Sequence, residues 1–211
     1  MVIALLAPAI ALIVRGYAHA RDGIAWDNAI PVPVSMIVGI PLPKVAYVDA
    51  AASLRGADPH NGEAILMAAE ARYHAGQPTS AVLPDVRSGL ELMPGSARGW
   101  LLLGVVAGPR GQALAAPSLE QSIYLGPREY YLIGPRLLVA AKNWDGFDHE
   151  TKELVLKQVR MAWDDPLLRN TILVLSESPQ GALLISRAFA PDEVRTINRW
   201  LRREHLRTEA S

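Results

Sequence analysis

Two stretches of this chain decide how it folds: PDVRSGLELMP, from Pro84 to Pro94, and PSLEQSIYLGP, from Pro117 to Pro127. Each runs from proline to proline over the same span. Val86 matches Leu119, Leu90 matches Ile123 and Leu92 matches Leu125, all at an offset of 33 residues. A third landmark, Asp58-Pro59, places its proline 35 residues before Pro94. A period near 34 belongs to helix-turn-helix units, each too small to bury its own apolar face and stable only when stacked on its neighbours.

The residues around these landmarks resemble the tetratricopeptide repeat family. That family sets a large apolar residue six positions after the terminal proline, and Ile65 and Trp100 stand there after Pro59 and Pro94. It then expects Leu-Gly three residues on, which Trp100-Leu-Leu-Leu-Gly104 matches and Ala68-Ala69 replaces with small residues. Ala81 and Ala115 resemble the small residue that opens the second helix of each unit. The likeness covers residues 58 to 127 and is faint beyond them. It implies an all-α, right-handed solenoid of helical hairpins. Small residues at Ala69 and Gly104 would let helices approach closely, and Trp100 would fill the space between pairs. The implied partner-binding groove is lined by the first helix of each pair. It draws on Glu63, Leu66, Glu70, Tyr73 and His74, then Arg98, Leu101 and Val105, then Tyr131, Leu138 and Lys142. Leu66 and Glu70 stand where carboxylate-binding relatives carry paired lysines.

Pro84 and Pro117 depart from the family. Proline is best tolerated in a first helical turn, so each second helix is expected to be short and to start late. Gly76-Gln77-Pro78 and Gly108-Pro109-Arg110-Gly111 read as turns between paired helices. The rest of a helical domain over residues 44–206 follows by the same logic. A lone helix spans 44–57 and a first helix 129–142. Asp148 is placed to cap a long helix ending near Trp163. A fourth pair spans 167–175 and 180–189. A last helix from Pro191 carries Val194, Ile197, Trp200 and Leu201 on one face and Arg195, Arg199, Arg202 and Arg203 elsewhere. Solenoids need such an end helix, with one face buried and one polar. Residues 207–211 form a tail.

Val2 to Val14 is an uninterrupted apolar run followed by Arg15. Such a helix reaches about 20 Å, against roughly 30 Å for a bilayer core. Extension through Ala18 nearly closes the gap if Arg15 snorkels. Residues 1–20 are therefore expected to be a membrane anchor. The alternatives are a signal peptide cleaved after Ala20 at Ala18-His19-Ala20, and a buried helix. The expected location is a bacterial inner membrane, single-pass, with the helical domain on the periplasmic side. The strap at 21–43 contains Pro31, Pro33, Pro41 and Pro43, which exclude a regular helix, and is rich in Ile and Val. It is expected to lie on its own domain, a partner or the membrane surface.

Lys and Arg number 21, as do Asp and Glu, so the formal net charge is zero. General nucleic-acid binders show a basic excess instead. Cysteine is absent, which excludes disulfides, thiolate zinc sites and a cysteine nucleophile. His19, His60, His74, His149 and His205 form no H-E-x-x-H pair; His149 and Glu153 alone share a helical face. No phosphate loop, nucleophile elbow or S-x-x-K motif occurs. No metal, cofactor or small-molecule substrate is expected. Tyr124, Tyr130 and Tyr131, with Arg128 and Arg136, form a cluster of types common in binding hot spots. The competing reading is inter-helix packing with the arginines in solvent.

The expected function is a membrane-tethered scaffold or adaptor, not an enzyme. It would hold protein partners of a cell-envelope assembly, in polysaccharide, secretion or respiratory machinery. The alternatives are a stoichiometric structural subunit buried through its strap, and an enzyme whose active site is assembled from positions far apart in the chain.

Overall fold

A computed structural model describes residues 42–55, 60–107 and 112–209. The expected membrane anchor, the strap up to Pro41, Pro59 and the Gly108–Gly111 turn lie outside the described residues. Every regular element among the described residues is helical. In chain order these are α1 (Lys44–Arg55), α2 (Gly62–His74), α3 (Thr79–Leu92), α4 (Ala97–Ala107), α5 (Gln112–Leu125), α6 (Tyr130–Asn143), α7 (His149–Asp164), α8 (Arg169–Ser176), α9 (Pro179–Ala188) and α10 (Pro191–Glu209). A 3₁₀ turn, Trp144–Gly146, separates α6 from α7. No helix among the described residues is long and apolar enough to cross a membrane. The all-α expectation holds, and the helix order is the one read from the sequence.

The chain divides into two compact units between Val106 and Ala107. In the first, α2 is apolar nearly all round, so it needs neighbours on two sides. Ala64, Met67, Ala68 and Ala71 pack against Tyr47, Ala50, Ala51 and Leu54 of α1. Leu66 and Ala69 turn the other way, towards Val82, Val86 and Leu90 of α3 and Leu102, Leu103 and Val106 of α4. The turn from α2 to α3 depends on Gly76, whose φ of +82° is a left-handed conformation that glycine adopts without a Cβ penalty. Small residues set the spacing here. An added Cβ would lie 2.9 Å from the Gly89 carbonyl oxygen if placed on Gly62, and 2.7 and 2.8 Å from Leu66 if placed on Gly89 and Gly99.

In the second unit the core is built from Leu119 and Ile123 of α5, Leu132, Ile133 and Leu137 of α6, Val155 and Val159 of α7, and Ile172, Leu175, Leu184 and Ile197 of the last three helices. Asp148 caps α7 as expected, its Oδ1 accepting from the Thr151 N–H at 2.7 Å. That backbone hydrogen bond holds the Asp148 carboxyl below its ordinary pKa. Ser178 caps α9 in the same way, accepting from the Gly181 N–H at 3.0 Å.

The prolines correct one expectation. The second helices are neither short nor late. Thr79–Leu92 and Gln112–Leu125 are both 14 residues long, with Pro84 and Pro117 inside them as the sixth residue. Pro135 takes the same place in α6, also 14 residues long. A proline there leaves the carbonyl four residues back without its helical donor. In α3 and α6 that carbonyl belongs to Ser80 and Tyr131, which are exposed, so water can replace the donor. The fixed φ of proline is itself compatible with a helix.

The two 14-residue helices α3 and α5 begin and end at an offset of 33 residues. Burial follows the same offset: Val82 with Ala115, Val86 with Leu119, Gly89 with Ser122 and Leu90 with Ile123 are all buried. The counterpart of buried Ala115 is thus Val82, while Ala81 is exposed. Leu92, matched to Leu125 in the sequence, is 47% exposed.

The close approach at α3 gives a direct test. Gly89→Ala should lower stability by about 1–2 kcal/mol, because overpacking against Leu66 outweighs the gain in helix propensity. Gly95→Ala, where nothing lies within 4 Å, should cost nothing measurable. Urea midpoints of the two variants check this, and equal midpoints would refute tight packing at Gly89.

Candidate functional site

Arg98 of α4 pairs with Glu70 of α2 in the first unit, and both lie among the expected groove residues. Glu70 is buried, so neither partner is simply displayed to solvent. Further along α2, Tyr73 is half-buried, and Glu63 and His74 are exposed. His74 stacks on Tyr47 of α1 with ring centroids 5.2 Å apart, and meets Tyr73 edge-on at 5.5 Å. The Tyr47 hydroxyl in turn accepts from the Leu42 N–H at 3.3 Å, and Leu42 packs on the α1–α2 core. Leu42, near the end of the strap, therefore lies against the pair of helices α1 and α2, the second of which carries Tyr73 and His74.

Behind this face Arg72 fastens α2 to α3. It pairs with Asp85, and donates to Gln77 Oε1 at 2.8 Å and to the Ala81 carbonyl at 3.0 Å. Nothing in the helical period marks Arg72 as a fastener. The spacing of Arg72 and Asp85 across the turn was the available signal.

The repeat positions are placed as follows. Ala69 and Gly104 are buried and Ile65 is half-buried. Pro94 is exposed, and its carbonyl accepts from the Trp100 indole N–H at 2.8 Å. The six-residue spacing of Pro94 and Trp100 is thus closed by a hydrogen bond that ties the loop to α4. Pro127 is also exposed, and its carbonyl accepts at 2.8 Å from Gln158 of α7. Ala115 is buried in α5.

Tyr131 belongs to the second unit. It is 37% exposed, beside Tyr130 at 53%, and Tyr124 is the most open at 78%. The Tyr131 hydroxyl donates to Glu129 at 2.8 Å. These tyrosines flank the Gly126–Glu129 loop, and Arg128 on it is exposed. Aromatic rings with one polar end are well suited to a protein interface. Arg136 does not join them. It is 1% exposed, and its guanidinium donates to Ser122 Oγ at 3.0 Å, the Ser122 carbonyl at 2.6 Å and the Gly126 carbonyl at 2.9 Å. Its charge lies at the C-terminus of α5, where the helix dipole favours a cation. Burial lowers its pKa to about 10, with the nearby Glu129 acting against that shift, so it stays charged at neutral pH. Neither reading made from the sequence, hot spot or solvated charge, describes it.

Lys142, a further expected groove residue, lines a recess of about 170 Å³ with Ala116, Asn143, Asp145, Gly146 and Phe147. Trp144 beside it is buried, with Arg187 at 5.0 Å and Lys152 at 5.7 Å from its ring centre. No cluster of three or more His, Asp or Glu side chains able to hold a metal ion occurs among the described residues. No protein-family model matches the chain, and comparison with the curated proteins gives no match.

Two buried charges separate structural from binding roles. Arg98→Ala should cost roughly 3 kcal/mol, because it strands the Glu70 carboxylate. Replacing both by leucine should recover most of that loss, read from denaturant midpoints. Arg136→Lys should also destabilise, by on the order of 2 kcal/mol, since an ammonium cannot fork across three acceptors. A wild-type midpoint for Arg136→Lys would show that the fork is dispensable.

Proposed function

We propose that this chain is a scaffold that binds other proteins through a tetratricopeptide-like array, held at a membrane by residues 1–20. The observation that carries this reading is the recurrence at 33 residues of helix length, proline position and burial in α3 and α5. Such recurrence is what a stack of like units requires. The Pro94–Trp100 hydrogen bond and the pairing of α2 with α4 through Glu70 and Arg98 support it, since in that family the first helices of successive units lie side by side. The partner-facing surface on this reading is the outer part of α2, Glu63, Tyr73 and His74. The tyrosines around Gly126–Glu129 form a separate contact surface on the second unit.

The partners are proteins of a cell-envelope assembly, and the helical domain lies on the periplasmic side of a bacterial inner membrane. The apolar run from Val2 to Val14 and the absence of a recognisable catalytic motif support this placement and role. Arg98 is a poor probe of the groove because its loss disturbs the fold.

The test uses the full chain, captured from solubilised membranes, with mass spectrometry of what is retained. Glu63→Lys combined with His74→Ala changes two exposed side chains and should reduce the retained partner at least tenfold, or about 1.4 kcal/mol. Full retention by this variant, and by a triple Tyr124, Tyr130 and Tyr131 to Ala variant, would remove both surfaces from the binding role.

A further inference from the structure

We infer that the outer face of α10 docks on an anionic lipid surface, a second membrane contact that rests on the proposed tether. In α10, Ile197 and Leu201 are buried and Val194 and Trp200 half-buried, the last meeting Trp163 edge-on at 5.6 Å. At 3.6 residues per turn, the side opposite that stripe carries Arg195, Arg199, Arg202 and Arg203, with Leu206 in line with them. All four arginines are exposed, and Leu206 is 66% exposed. Arg199 donates to Thr196 Oγ1, at 3.2 Å. None of the four is in an ion pair among the described residues, although Asp192 lies at the start of the same face.

Two other acids of α10 lie off this face. Glu193 accepts from the Ala190 N–H at 2.9 Å, closing the first turn. Glu204 is half-buried on the inner side. The chain is neutral as a whole, so this face is a local concentration of positive charge rather than part of a basic protein.

Three features fit a lipid headgroup layer. The arginines span about 12 Å of one straight helix, a flat row matched to a flat anionic surface. Guanidinium groups bind phosphate through paired N–H donors. An exposed leucine in the row can enter the acyl boundary, as in interfacial helices. Each arginine near such a surface contributes roughly five-fold in partitioning. A tether at the other end of the chain keeps the surface close, so weak attraction suffices.

The test uses the full chain reconstituted in vesicles. The sequence has no cysteine, so Leu206→Cys gives a single labelling site for an environment-sensitive fluorophore. In phosphatidylcholine vesicles containing phosphatidylglycerol the label should report an apolar environment. It should report water in pure phosphatidylcholine, and water again at about 0.5 M salt, where screening is short-ranged. Changing the four arginines to glutamine should abolish the response while circular dichroism stays unchanged. An identical signal in both lipid compositions, or a response that survives the glutamine changes, would overturn the proposal. So would a response to added polyglutamate or RNA but not to anionic lipid. Flotation with pure phosphatidylcholine vesicles reads the tether separately: a chain that fails to float there, yet responds at residue 206 to anionic vesicles, loses the tether and keeps the docking face.

Discussion

Leu66 is held between two glycines. One stands in α3 and one in α4, and a methyl group at either would fall within 3 Å of the leucine side chain. The arrangement of the first unit follows from this contact. It brings α3 and α4 against the same side of α2, which leaves the opposite side, with Ala64, Met67, Ala68 and Ala71, for α1. A helix so completely covered can show polar groups only at its ends and along one narrow seam. Glu63 and His74 occupy the ends. Glu70 lies on the seam, where its carboxylate is buried and Arg98 must come with it. The close packing therefore determines which residues of α2 remain to meet another molecule.

Much of this was legible in the sequence, and for physical reasons. Turn residues such as Gly76, caps such as Asp148 and an apolar stripe such as that of α10 act within one or two helical turns, so local sequence reports them. The 33-residue offset was legible because equivalent helices bury equivalent positions. What escaped was set by contacts between helices. Pro84 and Pro117 have the local signature of a helix start, yet lie inside helices whose outer sides are wet. Arg136 has the signature of a surface charge, yet its position opposite the end of α5 supplies three acceptors. The candidate surface was legible only in part: the sequence lists Glu63, Glu70, Tyr73, His74 and Arg98 as equivalent, and packing divides them into displayed and structural.

The same division runs through the arginines of the whole chain. Arg72, Arg98 and Arg136 join helices, and Arg169 stacks at 5.1 Å on Trp163 while donating to its carbonyl at 2.8 Å. Arg160 donates to the Ala188 carbonyl at 2.7 Å, tying α7 to α9. Carboxylates offset the charges of Arg72 and Arg98, whereas Arg136, Arg160 and Arg169 keep theirs while hydrogen-bonded to neutral carbonyls. The four arginines on the outer side of α10 have no such internal work. A formal charge of zero hides this, because it sums arginines that act inside the protein with arginines that act outside it. Long-range attraction follows how charge is distributed over the molecule rather than its total. A neutral chain with a row of exposed arginines on one helix face would attract an anionic surface mainly through that face, whereas a uniformly basic chain would attract it in many orientations.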